Sequence, residues 1–166
     1  MENIFEYTGK ELNWMPVKNI GYVLHVHDLQ TSIAILGVQG AFGSKAEGKC
    51  ANGSWKFKRV GMLQNSISVQ ESDSGRQLAV FKKKGMGGVL EIAGGKKITV
   101  KRNALMTEYE LLQENELLIH YCYKQDRPQV FIQPVAANVP ELPWMVLFLG
   151  YLVIMQRIDA NYNAPY

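Results

Sequence analysis

The run Leu142 to Met155, LPWMVLFLGYLVIM, carries no charged side chain and is apolar on every face, with Glu141 before it and Gln156, Arg157 and Asp159 after it. A helix of that kind must be surrounded, by lipid or by protein. At about 1.5 Å per residue the run reaches about 21 Å, short of the ~30 Å hydrocarbon core of a bilayer. It is therefore expected to be a helix buried in protein, over about residues 142–158, with no transmembrane span. Pro140 and Pro143 fix its start, because a proline in the first turn removes only an N–H that would be unpaired there. Gly150 lowers helix propensity by about 1 kcal/mol but lets a neighbouring wall come close.

That wall has to come from upstream, where no stretch reads as a helix of useful length. Short β-prone runs alternate instead with turn residues, at 21–27, 31–38, 54–60, 66–71, 77–83, 89–93, 97–102, 108–113, 117–124 and 129–135, with further extended pairing from 12–17 and 41–50. Asn52-Gly53, Asp73-Ser74-Gly75, Gly94-Gly95 and Glu114-Asn115 separate consecutive runs as hairpin turns do. Neighbouring side chains on a strand point to opposite sides. In Trp55-Lys56-Phe57-Lys58 the aromatics take one face and the lysines the other, and Lys97-Ile98-Thr99-Val100-Lys101 repeats the pattern. The result is an antiparallel meander with one wet, basic face. A sheet of this many strands tends to curl, and a closed barrel of about eleven strands has room for a central helix.

The length of 166 residues with 47% hydrophobic content suits one domain with a substantial core. The first fifteen residues mix Glu2, Glu6, Lys10 and Glu11 with scattered apolar positions. They lack the basic start and continuous apolar stretch of a secretion signal, so a cytoplasmic protein is expected. Cys50 and Cys122 are too few for a four-ligand zinc site, and a disulfide is not expected in that compartment. The net charge of +3 hides an uneven distribution: Lys and Arg crowd residues 45–102, offset there only by Glu47, Glu71, Asp73 and Glu91. That stretch is a candidate anion-facing surface.

The strand Gly53-Ser54-Trp55-Lys56-Phe57-Lys58-Arg59 with Gly61, the Ser74-Gly75 turn into Leu78-Ala79-Val80-Phe81, the Gly94-Gly95 hairpin and Val139-Pro140-Glu141-Leu142-Pro143-Trp144 opening the apolar helix occur in a telling order. In that order the chain resembles the tubby C-terminal-like superfamily, in its branch of LURP-one-related proteins, phospholipid scramblases and small uncharacterised bacterial relatives. The likeness covers roughly residues 20–160. It implies a mainly β fold: a closed antiparallel barrel of about twelve strands, at about residues 12–135, with the C-terminal helix threaded through its middle. It also implies binding of phosphoinositide headgroups by basic surface residues, although no headgroup-binding position of the family matches residue by residue. A proline-rich N-terminal region, a cysteine run for acylation and an acidic segment before the helix are absent, so scramblase activity is not expected.

The candidate headgroup-binding residues are Lys56, Lys58 and Arg59, the run Lys82, Lys83 and Lys84, the pair Lys96 and Lys97, and Lys101 with Arg102. Each cation near an anionic membrane contributes about 1 kcal/mol, screened over about 8 to 10 Å at cellular salt; the same lysines would also keep a β surface soluble. The turn Gly85-Met86-Gly87-Gly88 could dip Met86 into a membrane. His25 and His27, two apart on one strand, are weak metal candidates, more simply read as surface histidines. Nucleic acid is the weaker anionic partner, because Trp55 and Phe57 point away from the lysines and stacking needs both on one side. No phosphate-cradling glycine loop or nucleophile elbow occurs, and His120 with Cys122 reads as core packing, so neither enzymatic activity nor a cofactor is expected. The rival to a lipid-headgroup binder is a protein-interaction module.

Overall fold

The computed structural model describes residues 1–18, 21–26, 31–63, 65–124 and 127–163. Twelve strands run in sequence: β1 Glu11–Val17, β2 Gly21–Val26, β3 Ser32–Gln39, β4 Lys45–Cys50, β5 Gly53–Val60, β6 Ser66–Glu71, β7 Gln77–Lys84, β8 Gly87–Ile92, β9 Lys97–Arg102, β10 Glu108–Gln113, β11 Glu116–Lys124 and β12 Arg127–Ile132. Each pairs antiparallel with its neighbours in sequence, and β1 closes on β12 through Leu12 opposite Val130, so the sheet is a closed barrel without edges. Closure removes the unpaired strand edges that an open sheet of this size would expose.

One helix, α1 (Leu142–Tyr162), occupies the lumen, and every residue from Leu142 to Met155 is buried. These are the fourteen uncharged positions of the sequence. The helix itself runs four residues past the expected 142–158, with residues 156–160 half-buried and Asn161 and Tyr162 exposed. By length and composition alone a 21-residue helix could cross a membrane, but 78% of its most apolar window lies inside the barrel.

Inward residues of the strands complete the core. Phe81 meets Phe148 at 5.5 Å between ring centroids, and Phe57 stacks on Tyr151 at 5.8 Å. Such ring pairs add about 0.5–1.5 kcal/mol each beyond the area they bury. Gly150 does let the wall approach: a Cβ there would lie 2.9 Å from the Trp14 ring of β1.

Three short stretches depart from the strand-only expectation. Residues 41–43 form a 3-10 turn, not the start of a strand, because Gly40, Phe42 and Gly43 all take positive φ (79°, 56° and 65°) that no strand accommodates. Pro134–Asn138 is another 3-10 turn, so β12 ends before Val135. Ile4–Tyr7, before the barrel, is a third, and its Ile4 and Tyr7 are buried against the core. The expected turn 85–88 is shorter than read, since Gly87 and Gly88 already belong to β8.

Candidate functional site

In an up-and-down barrel successive turns alternate between two ends. The helix identifies them. Its N-terminal end lies at the mouth carrying the β4–β5, β6–β7, β8–β9 and β10–β11 turns, where Lys96 Nζ binds Glu141 at 2.8 Å. Its C-terminal end lies at the mouth carrying the β3–β4, β5–β6, β7–β8 and β9–β10 turns, where Arg59 meets Asp159 at 2.5 Å. These are called the N mouth and the C mouth below.

The sequence places the cations on a lateral face; the structure gathers most of them at the C mouth. Lys58 lies two residues before the end of β5, Lys82, Lys83 and Lys84 end β7, and Lys101 is the last residue but one of β9, while Lys45 begins β4 directly opposite Lys58. All these strand ends share one mouth by the alternation of the meander. Gly87, the register partner of Lys84, also lies against Lys101: a Cβ on it would be 3.3 Å from the Lys101 Cα. With strands about 4.8 Å apart, Lys84 and Lys101 are held about 10 Å from each other, close to a Debye length. Among the described residues no carboxylate forms an ion pair with Lys45, Lys58, Lys83, Lys84 or Lys101. Glu110 of β10, the register partner of Lys101, adds a carboxylate to this end without forming an ion pair with it.

The remaining candidates do other work. Arg59 is not part of a solvent-facing patch: its side chain is only 7% exposed and anchors Asp159 near the end of α1. Lys96 is half-buried on Glu141 at the opposite mouth and is likewise removed from the set. Arg102 turns toward the rim, its Nε donating to the Met86 carbonyl at 2.6 Å and so pinning the β7–β8 turn. Lys82 binds Glu91 at 3.0 Å, with Lys97 the register partner of Glu91. The hydrogen bond and charge of Lys82, with Lys97 beside it, hold the Glu91 carboxyl below its ordinary range. Lys56 faces outward near mid-barrel opposite Glu47.

Beside Arg59 a cleft of about 140 Å³ opens at the C mouth, lined by Asn65, Lys83, Gln156 and Asp159 among others. Arg59 Nε is buried there without a hydrogen-bond partner. The helix end is otherwise tied down by phenols: Tyr109 donates to Gln156 Oε1 at 2.9 Å and Tyr151 donates to the Gly43 carbonyl at 2.7 Å. Burial pushes Tyr109 and Tyr151 each up to about 12, and burial together with Tyr123 pushes Tyr121 further still. Arg157 lies over the Tyr123 ring at 3.2 Å.

His25 is half-buried on β2, its Nδ1 without a hydrogen-bond partner among the described residues, and His27 lies outside them. Among the described residues no group of three His, Cys, Asp or Glu side chains could hold a metal ion.

The convergence was open to a reading of the sequence: in a meander, the end of an odd-numbered strand and the start of the next share a mouth, which puts Lys45, Lys58, Lys84 and Lys101 together. The same rule exposes residues that the reading passed over, Phe42, Met62, Leu63 and Leu105, whose signal is an apolar side chain at a turn position.

No known protein family matches the chain, and no curated protein does. Among solved structures it is similar to that of a protein from Arabidopsis thaliana, with a TM-score of 0.61 over 93% of this chain and 96% of that one, at 11% identity. A likeness at that identity speaks for the shared barrel fold alone.

Proposed function

We propose that this protein is a non-enzymatic binding module that associates peripherally with anionic phospholipid headgroups at the cytoplasmic face of a membrane. The barrel would then belong with the tubby-like, LURP-one-related folds it resembles in sequence order. What supports this is the gathering of Lys45, Lys58, Lys83, Lys84 and Lys101 at one mouth with no carboxylate paired to them. Natural surfaces intersperse charges of both signs unless a field serves a purpose. Here the purpose is a flat anionic partner, toward which each cation contributes about 1 kcal/mol.

The test is co-sedimentation of the purified protein with neutral phosphatidylcholine vesicles and with vesicles containing anionic lipid, at low and at physiological salt. Binding to the anionic vesicles alone, weakened by salt and by changing Lys82, Lys83 and Lys84 to Ser, is the expected result. Absence of binding under every condition would leave a protein-interaction module, whose charges serve only solubility.

A further inference from the structure

Large apolar side chains that stay exposed on a folded protein are few here, and most of them are at one place. Among the described residues they are Met1, Met15, Phe42, Met62, Leu63, Met86, Leu105 and Tyr162. Phe42 lies in the β3–β4 turn, Met62 and Leu63 in the β5–β6 turn, Met86 in the β7–β8 turn and Leu105 in the β9–β10 turn. These four turns are neighbours around the C mouth, because the strands that bear them are consecutive around the barrel. Tyr162, at the end of α1, packs edge-on against Phe42 at 4.6 Å. The most exposed of the set, Met62 at 103%, Leu105 at 79% and Leu63 at 83%, have almost nothing of the protein over them.

We propose that the protein docks end-on, with Phe42, Met62, Leu63, Met86 and Leu105 entering the acyl-chain boundary of an anionic bilayer while the cations below them meet the headgroups. This deepens the preceding proposal and rests on it. A bilayer, and not a protein, is the partner because the exposed apolar residues are spread over four separate turns of the rim, each two strands from the next. A protein partner needs a contiguous complementary surface with a desolvated centre, whereas a fluid interface closes round each tip independently. The charge fits as well: Lys58, Lys84 and Lys101, on β5, β7 and β9, precede Met62, Met86 and Leu105 by four, two and four residues. Their long side chains can reach headgroup level when the tips are in the boundary region. Apolar insertion and cationic attraction then act together, in the manner that gives stable peripheral binding where either alone is marginal.

The experiment places tryptophan on the tips, as Leu63→Trp and Leu105→Trp, with Asp73→Trp at the N mouth as reference. Each full-length variant is mixed with anionic vesicles whose acyl chains carry bromine. Native Trp14, Trp55 and Trp144 are buried and contribute an unquenched background. Quenching at positions 63 and 105 but not at 73 is the expected result, together with a fall of about tenfold or more in vesicle affinity when Leu63 and Leu105 are both changed to Ser. Sedimentation with anionic vesicles but no quenching at any of the three positions would overturn end-on insertion and leave headgroup binding standing. Absence of sedimentation altogether would overturn both proposals and assign the tips to a protein partner.

Discussion

The N mouth and the C mouth are closed by the same device, a ring of short turns around one end of a helix, and they differ in how their polar groups are satisfied. At the N mouth several polar groups find partners within the chain, although Ser72 Oγ is buried without one among the described residues. Asn52 accepts from the Ile4 N–H at 3.1 Å and its amide donates to Asn3 at 3.0 Å, Ser74 donates to Glu71 at 2.5 Å, and Lys96 holds Glu141. Two 3-10 turns, Ile4–Tyr7 and Pro134–Asn138, fold over that end and bury Ile4, Tyr7 and Ala136. At the C mouth the helix is pinned by Arg59, Tyr109 and Tyr151, but among the described residues the rim keeps cations that form no ion pair, and exposed apolar tips at Met62, Leu63, Met86 and Leu105. One end is finished as structure. The other exposes Met62, Leu63 and Leu105 almost fully, and exposed apolar side chains gathered at one place are a feature that folding alone does not call for.

The comparison presumes that one buried helix ties both ends, and the largest effect comes from breaking that tie. Leu149 is fully buried near the middle of α1. Leu149→Asp puts an unpaired carboxylate there, at a penalty of several kcal/mol, comparable with the whole stability of a domain. The expected outcome is an insoluble protein or one without a cooperative melt. A soluble variant melting cooperatively would mean that the barrel stands without the helix inside it.

Alkali should attack the C mouth selectively. Tyr109, Tyr121 and Tyr151 are buried and their folded pKa values are raised by that burial, so the folded state keeps protons that the unfolded chain gives up above pH 10. Stability is then full below the unfolded value and is lost as pH rises toward the folded one. For Tyr109, the rise from 10.0 to about 12 corresponds to about 3 kcal/mol by the top of that window. Chemical denaturation at pH 8, 10 and 11 should give constant and then falling stability, with tyrosinate absorbance from these residues appearing only on unfolding. Smooth, non-cooperative ionisation of every tyrosine below pH 11 would show that the phenols at this end are open to water.

Much of this architecture was legible because apolar patterning is a local property. The uncharged run 142–155 coincides with the fully buried part of α1, and the alternation in 55–58 and 97–101 matches the inward and outward sides of β5 and β9. The site was legible only in its residue types. Period-two alternation says which side of a sheet a lysine faces and nothing about which end, so it supports only a lateral face. Arg59 illustrates the rest: its parity with Phe57 already put it on the inward side, but its partner Asp159 is a hundred residues away in sequence and local pattern cannot supply it. The 3-10 turn at 41–43 has no local signature, because Gly40 and Gly43 bracket a Phe, which on composition alone extends a strand.

If charge at the C mouth is functional and charge at the N mouth structural, matched substitutions separate them. Changing Lys83, Lys84 and Lys101 to Ser should lower affinity for anionic vesicles about a hundredfold, from about 1 kcal/mol per cation. Changing Lys10, Arg76 and Lys97 to Ser, near the opposite end, should alter it by about twofold or less, since those positions lie far beyond a Debye length from a surface docked at the C mouth. Equal losses in the two triple variants would mean that net charge, not its position, governs binding.

The smallest expected difference lies between the two ion pairs that hold the helix ends. Arg59 is nearly buried while its partner Asp159 is 41% exposed, so the pair is only partly shielded from water; Lys96 and Glu141 are 32% and 21% exposed. Double-mutant cycles on stability, with Arg59→Met and Asp159→Asn at one end and Lys96→Met and Glu141→Gln at the other, should give coupling of about 1 to 2 kcal/mol for the first pair and below about 1 kcal/mol for the second. The single Arg59→Met change should be milder than the single Asp159→Asn change. Losing the arginine leaves a carboxylate that water can still reach, whereas losing the carboxylate leaves a buried guanidinium whose Nε already lacks a partner. If the order is reversed, Arg59 is already stabilised without Asp159, and the C-mouth cleft beside it holds water or an anion in the protein as purified.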